Sequence, residues 1–160
     1  MNFDDRLNKA IQRGQRRGEH VAREAAARTL SEEECKRLHS QYRLQLSEHI
    51  ESCLERLPHH FPGFLLETVY GDRGWGAAVA RDDFKPSEGK RGSTYSRLEI
   101  TVRPYTSYRV LELAGKGTVQ NKEIFSRSVF EPLADLDIDK FLALVDAWVL
   151  EYAEHYALQD

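Results

Sequence analysis

Apolar positions are sparse but regular along the first thirty residues. Leu7, Ile11, Gly14, Gly18, Val21 and Ala25 alternate at steps of four and three, which predicts one stripe on a helix over residues 3–28. The stripe is thin, and each of its two glycines costs a helix interior about 1 kcal/mol against alanine. The expectation is a helical arm over 1–30 that needs a partner surface to stay ordered. Ser31 followed by Glu34 then reads as a capping box, with Glu32 and Glu33 at the positive end of the next helix dipole. Leu38, Tyr42, Leu46, Ile50, Cys53, Leu54 and Leu57 carry a stronger stripe that stops at Pro58, predicting a helix over 31–57.

Beyond His59-His60-Phe61-Pro62-Gly63 the period changes from helical to extended, and a sheet is expected over 64–130. Phe64–Tyr70 and Trp75–Ala80 flank Gly71-Asp72-Arg73-Gly74, a hairpin connection. Residues 85–93, KPSEGKRGS, hold no apolar side chain and predict a solvated, mobile loop. Tyr95–Arg103 alternates, with Leu98, Ile100 and Val102 on one face and Tyr95, Arg97, Glu99, Thr101 and Arg103 on the other. Tyr108–Ala114 and Thr118–Phe130 follow, and Gly115-Lys116-Gly117 between them suits a tight turn.

Asp137 is a good N-cap for a last helix over 137–158. Its apolar residues, among them Phe141, Val145, Trp148, Val149 and Tyr152, spread over more than one stripe and predict a helix deep in the core. The pattern is therefore α+β: an antiparallel meander of about four to five strands, flanked by a long N-terminal helical region and a C-terminal helix on one face. At 160 residues, with 41% apolar and 31% charged positions, one domain with its own core is expected.

Charge narrows the function classes. Lys and Arg number 23 against 26 Asp and Glu, so attraction of the whole molecule to nucleic acid or anionic lipid is not expected. The arm differs locally: seven Lys or Arg face four Asp or Glu over residues 3–28, a net +3. MNFDDRLNKA lacks a secretory pattern and no apolar run approaches a membrane span, so a soluble, cytoplasmic protein without membrane contact is expected.

Catalytic signatures are missing. Neither Gly89-Lys90 nor Gly115-Lys116-Gly117-Thr118 has the residues of a phosphate loop, and no Gly-x-Ser-x-Gly occurs. No catalytic residue and no cofactor is assigned. His59 and His60, at the helix-to-sheet junction, are expected to cap helix carbonyls, and they remain candidate ligand-binding residues should a cleft form there. Tyr95, Arg97, Arg103 and Tyr105 form a possible single-strand-binding face, since rings stack on bases and arginines neutralise phosphates.

Cys35 and Cys53 are too few for a disulfide scaffold, and one helix would hold them about 27 Å apart. They do suggest metal. Cys35 with His39, and His49 with Cys53, are i, i+4 pairs symmetric about Leu44, and an antiparallel dimer would bring them together as two Cys₂His₂ zinc sets. The plainer reading buries both thiols in the core. The leading functional expectation is a noncatalytic binding or adaptor module that associates with itself, as a homodimer, or with a protein partner through its N-terminal helices. A single-stranded nucleic-acid binder and a small enzyme with a cleft near His59-His60 are the alternatives.

Overall fold

The computed structural model describes residues 2–28, 30–87 and 90–158, with side chains except at 22–28, 84–87, 90 and 91. A first helix, α1 (Phe3–Arg28), is followed by α2 (Glu32–Glu55), and the short α3 (Leu57–His60) leads into five strands. These are β1 (Leu65–Val69), β2 (Trp75–Ser87), β3 (Lys90–Val102), β4 (Val110–Val119) and β5 (Lys122–Pro132). A 3-10 turn at Leu133–Asp135 precedes the last helix, α4 (Ile138–Ala157). All neighbouring strands pair antiparallel in the order β1-β2-β3-β4-β5, so the expected α+β meander is found. No helix among the described residues is long and apolar enough to cross a membrane.

Local chemistry explains the helix ends. Ser31 Oγ accepts from the Glu34 N–H at 3.1 Å and starts α2, while Asp137 accepts from the Asp139 N–H and starts α4. Helices α2 and α4 lie side by side over one face of the sheet, α2 chiefly over β2 and α4 over β4. Leu46, Ile50 and Leu54 of α2 and Phe141, Val145 and Tyr152 of α4 are fully buried against Val79, Leu98, Ile100, Leu111 and Leu113. Burying each such side chain contributes about 1.5–3 kcal/mol. Only one face of α4 is buried, and Leu150 stays 69% exposed, so the helix covers the sheet rather than running through the core.

Two expectations about loops are corrected. Residues 85–87 and 90–93 are strand, because β2 and β3 continue as a paired ribbon to Ser87↔Lys90; Glu88 and Gly89 lie outside the described residues. Backbone pairing satisfies these polar segments without apolar side chains. Gly115-Lys116-Gly117 lies inside β4, and the turn falls at Gln120 and Asn121, both with positive φ. The Asn121 N–H donates to the Tyr95 carbonyl and its Oδ1 accepts from the Tyr95 N–H, each at 2.8 Å, which holds the turn against β3.

Helix α1 stands apart. Every side chain from Phe3 to Val21 is exposed, and among the described residues α1 has no substantial packing against another element.

Candidate functional site

At the seam of α2 and α4 a groove of about 610 Å³ is lined by His49, Cys53, His60, Asp146, Val149 and Leu150, among others. The i, i+4 spacing puts His49 and Cys53 on one side of α2, where α4 brings Asp146 against them. His49 Nε2 lies 2.8 Å from Asp146 Oδ1 and 3.6 Å from Cys53 Sγ, while the Cys53 thiol donates to Asp146 Oδ1 at 3.4 Å. All three donor atoms meet within 4.8 Å. Among the described residues this is the one group of three or more His, Cys, Asp or Glu that could hold a metal ion.

The arrangement is not a nucleophilic relay. A thiol, imidazole and carboxylate acting in relay use opposite ring nitrogens, one toward the nucleophile and one toward the acid. Here the thiol and the carboxylate both meet Nε2. Burial, then the hydrogen bond to Asp146 and its charge, push the Cys53 thiol up to about 11, so the metal-free group is a protonated thiol at neutral pH. Convergence on one point lets the three side chains hydrogen-bond one another and could also hold a metal ion.

The other metal pair is separated from this one. Cys35 is 2% and His39 3% exposed, both enclosed by this chain's own fold. His39 Nε2 donates to the Arg103 carbonyl at 3.1 Å, and the ring meets Tyr105 edge-on. Burial, reinforced by the nearby charge of Arg43, lowers the His39 pKa despite that hydrogen bond. An intersubunit Cys₂His₂ set would need both side chains at the surface, whereas in this chain both are buried. Periodicity along α2 brought both pairs to notice, but it could not say which side would face the sheet. Asp146 was missed, since its only signal is an acid beside the buried positions Val145, Trp148 and Val149.

The expected aromatic and arginine face is also divided. Tyr95, Arg97 and Arg103 belong to the sheet face opposite the helices, but Tyr105 follows the end of β3 and packs against His39, with Lys36 5.9 Å over its ring. Arg97 is paired with Glu99 at 3.0 Å and Glu67 at 3.5 Å, and Glu99 also holds Arg73. Arg103 Nη1 donates to the Arg73 carbonyl. These arginines are tied to carboxylates and backbone, so the open face carries interspersed charges of both signs.

His60 lines the α2/α4 groove and His59 is exposed nearby. The preceding carbonyls are closed by backbone donors instead, including the Phe61 N–H to Leu57 at 2.7 Å. The two histidines therefore do not perform the expected capping. Comparison with known proteins gives no match among family models, curated proteins or solved structures, so the functional argument rests on these side chains.

Proposed function

We propose that this chain is a noncatalytic binding module that associates with a second copy of itself through α1. The observation that carries this reading is the exposure of the apolar stripe of α1 between Phe3 and Val21. Phe3, Leu7, Ile11 and Val21 are 72%, 45%, 48% and 58% exposed, and nothing approaches a β-carbon built at Gly14 or Gly18. A lone helix of this kind, with two interior glycines, is poorly stable in water, so its apolar stripe requires a covering surface.

Charge favours a second copy as the occupant. The arm carries a net +3, which leaves −6 on the remainder of a chain whose total is −3. Exposed Glu48, Glu51 and Glu55 form an acidic row along α2, in contrast to Arg6, Lys9, Arg13 and Arg16 along α1. Two copies can therefore exchange a basic helix for an acidic body.

Light scattering of the full chain tests this. A dimer mass is expected at low salt, and Leu7→Glu with Ile11→Glu should return the monomer mass without loss of the far-ultraviolet sheet signal. A monomer at high protein concentration, or a mass indifferent to both substitutions, defeats the reading.

A further inference from the structure

We propose that His49, Cys53 and Asp146 form a three-ligand zinc site at the seam of α2 and α4, with its fourth position open to the groove. The proposal concerns one chain's own ligands and goes beyond self-association, on which it does not depend.

The distances carry the assignment. Zinc bonds of about 2.3 Å to sulfur and about 2.0–2.2 Å to nitrogen and oxygen place tetrahedral ligands about 3.5 Å apart for pairs with sulfur and about 3.3 Å apart for nitrogen with oxygen. The sulfur pairs already stand at 3.6 and 3.4 Å. Only His49 Nε2 and Asp146 Oδ1, now hydrogen-bonded at 2.8 Å, must separate by about half an ångström to meet that geometry. Both side chains are partly exposed, at 32% and 53%, so neither is locked against such a shift.

The donor chemistry agrees with the geometry. A thiolate, an imidazole and a carboxylate suit a borderline-soft divalent ion better than calcium or magnesium, which take oxygen ligands. Three protein ligands with a remaining position for water describe an open zinc centre rather than a closed structural one. That position faces the groove walled by Leu57, Val149 and Ala153, with His60 also on its lining. Binding is balanced by one proton: the thiol gives its hydrogen to solvent as the Zn–S bond forms. In the neutral form of the ring, the hydrogen that Nε2 offers to Asp146 in the metal-free site passes through solvent to Nδ1, which frees Nε2 for the ion without altering the proton count.

The test titrates the metal-free full chain with Zn²⁺ against a chromogenic chelator, and separately with Co²⁺ as a spectroscopic reporter. One equivalent of zinc should bind per chain. Cobalt should show thiolate-to-metal charge transfer and the intense visible bands of a four-coordinate ion. Asp146→Asn and Cys53→Ser should each weaken zinc by more than about a hundredfold, since even outer-shell partners are worth about 10–100-fold. Cys53→Ser should also abolish the charge-transfer band, whereas Cys35→Ala should retain it. Asp146 is exposed, so Asp146→Asn tests the site without disturbing the core, and thermal melts of the metal-free variants verify their folding. Absence of saturable zinc binding, an octahedral cobalt spectrum, or unchanged affinity in Asp146→Asn would overturn the assignment. A mass that halves on chelation would also overturn it, by placing the ion between chains.

Discussion

The indole of Trp148 occupies the space that a side chain at Gly115 would need: a β-carbon built there lies 2.6 Å from a ring carbon. Tyr152 and Phe125 crowd Gly117 in the same way, at 3.0 Å each. The glycines of β4 thus form a notch into which α4 presses its rings. Gly115→Ala should destabilise the fold by about 1–3 kcal/mol through overpacking, and Trp148→Ala by about 3–5 kcal/mol through the cavity it leaves. Denaturant titration of both single variants and the double variant gives the test. Because the two residues share one contact, the double variant should be less damaged than the sum of the singles.

Tyr105 offers the opposite sign. Its hydroxyl is buried with no hydrogen-bond partner among the described residues. Tyr105→Phe removes an unsatisfied polar atom while retaining the ring against His39, so stability should stay level or rise by up to about 1 kcal/mol. A loss of more than that in a urea titration would reveal a partner for the hydroxyl.

Acid should weaken the fold through His39. Its pKa is lowered by burial and by Arg43, so between the folded and unfolded values the unfolded chain binds more protons. The stabilisation is complete above the unfolded value near 6.5 and is lost as pH falls toward the folded one. The groups facing this ring are Arg43, the Arg103 carbonyl and Tyr105, the last carrying Lys36 over its ring. None of them supplies a carboxylate to stabilise a cationic imidazole. His39→Gln should flatten the dependence of melting temperature on pH below about 6.5 relative to the parent chain. An unaltered slope would exclude His39 as the group responsible.

Removal of residues 2–28 should spare the core, which among the described side chains is built from residues after α1. The truncated chain is expected to unfold cooperatively, with any fall in melting temperature accounted for by lost association. Melts over a range of protein concentrations distinguish the two contributions. A noncooperative melt at every concentration would mean that α1 supports its own chain.

Much of the architecture was legible in short-range patterns. The Ser31 and Asp137 caps, the stripe of Leu46, Ile50 and Leu54, and the alternation of Leu98, Ile100 and Val102 each express a local rule that the fold obeys. What escaped was tertiary. Glycines at 115 and 117 resemble a turn in one dimension, and it takes Trp148 and Tyr152, arriving from more than thirty residues away, together with Phe125 of β5, to explain them as room for rings. The candidate site was half legible for the same reason: His49 and Cys53 share a helix, but the third donor belongs to α4, and helix pairing leaves no spacing to count.

The ribbon formed by the far ends of β2 and β3 extends past its neighbours, since β1 reaches only Ala80 and β4 begins its pairing at Arg97. Such a ribbon offers two bare edges on which a foreign strand could polymerise. Asn121 blocks one of them: it bonds both backbone groups of Tyr95 and reaches the Ser93 carbonyl at 3.4 Å. On the other edge Pro86 has no N–H to offer, which interrupts the template within a few residues of its tip. The fold thus carries its longest hairpin with protection against sheet-to-sheet growth, supplied on one side by a turn from elsewhere in the chain and on the other by an imino acid.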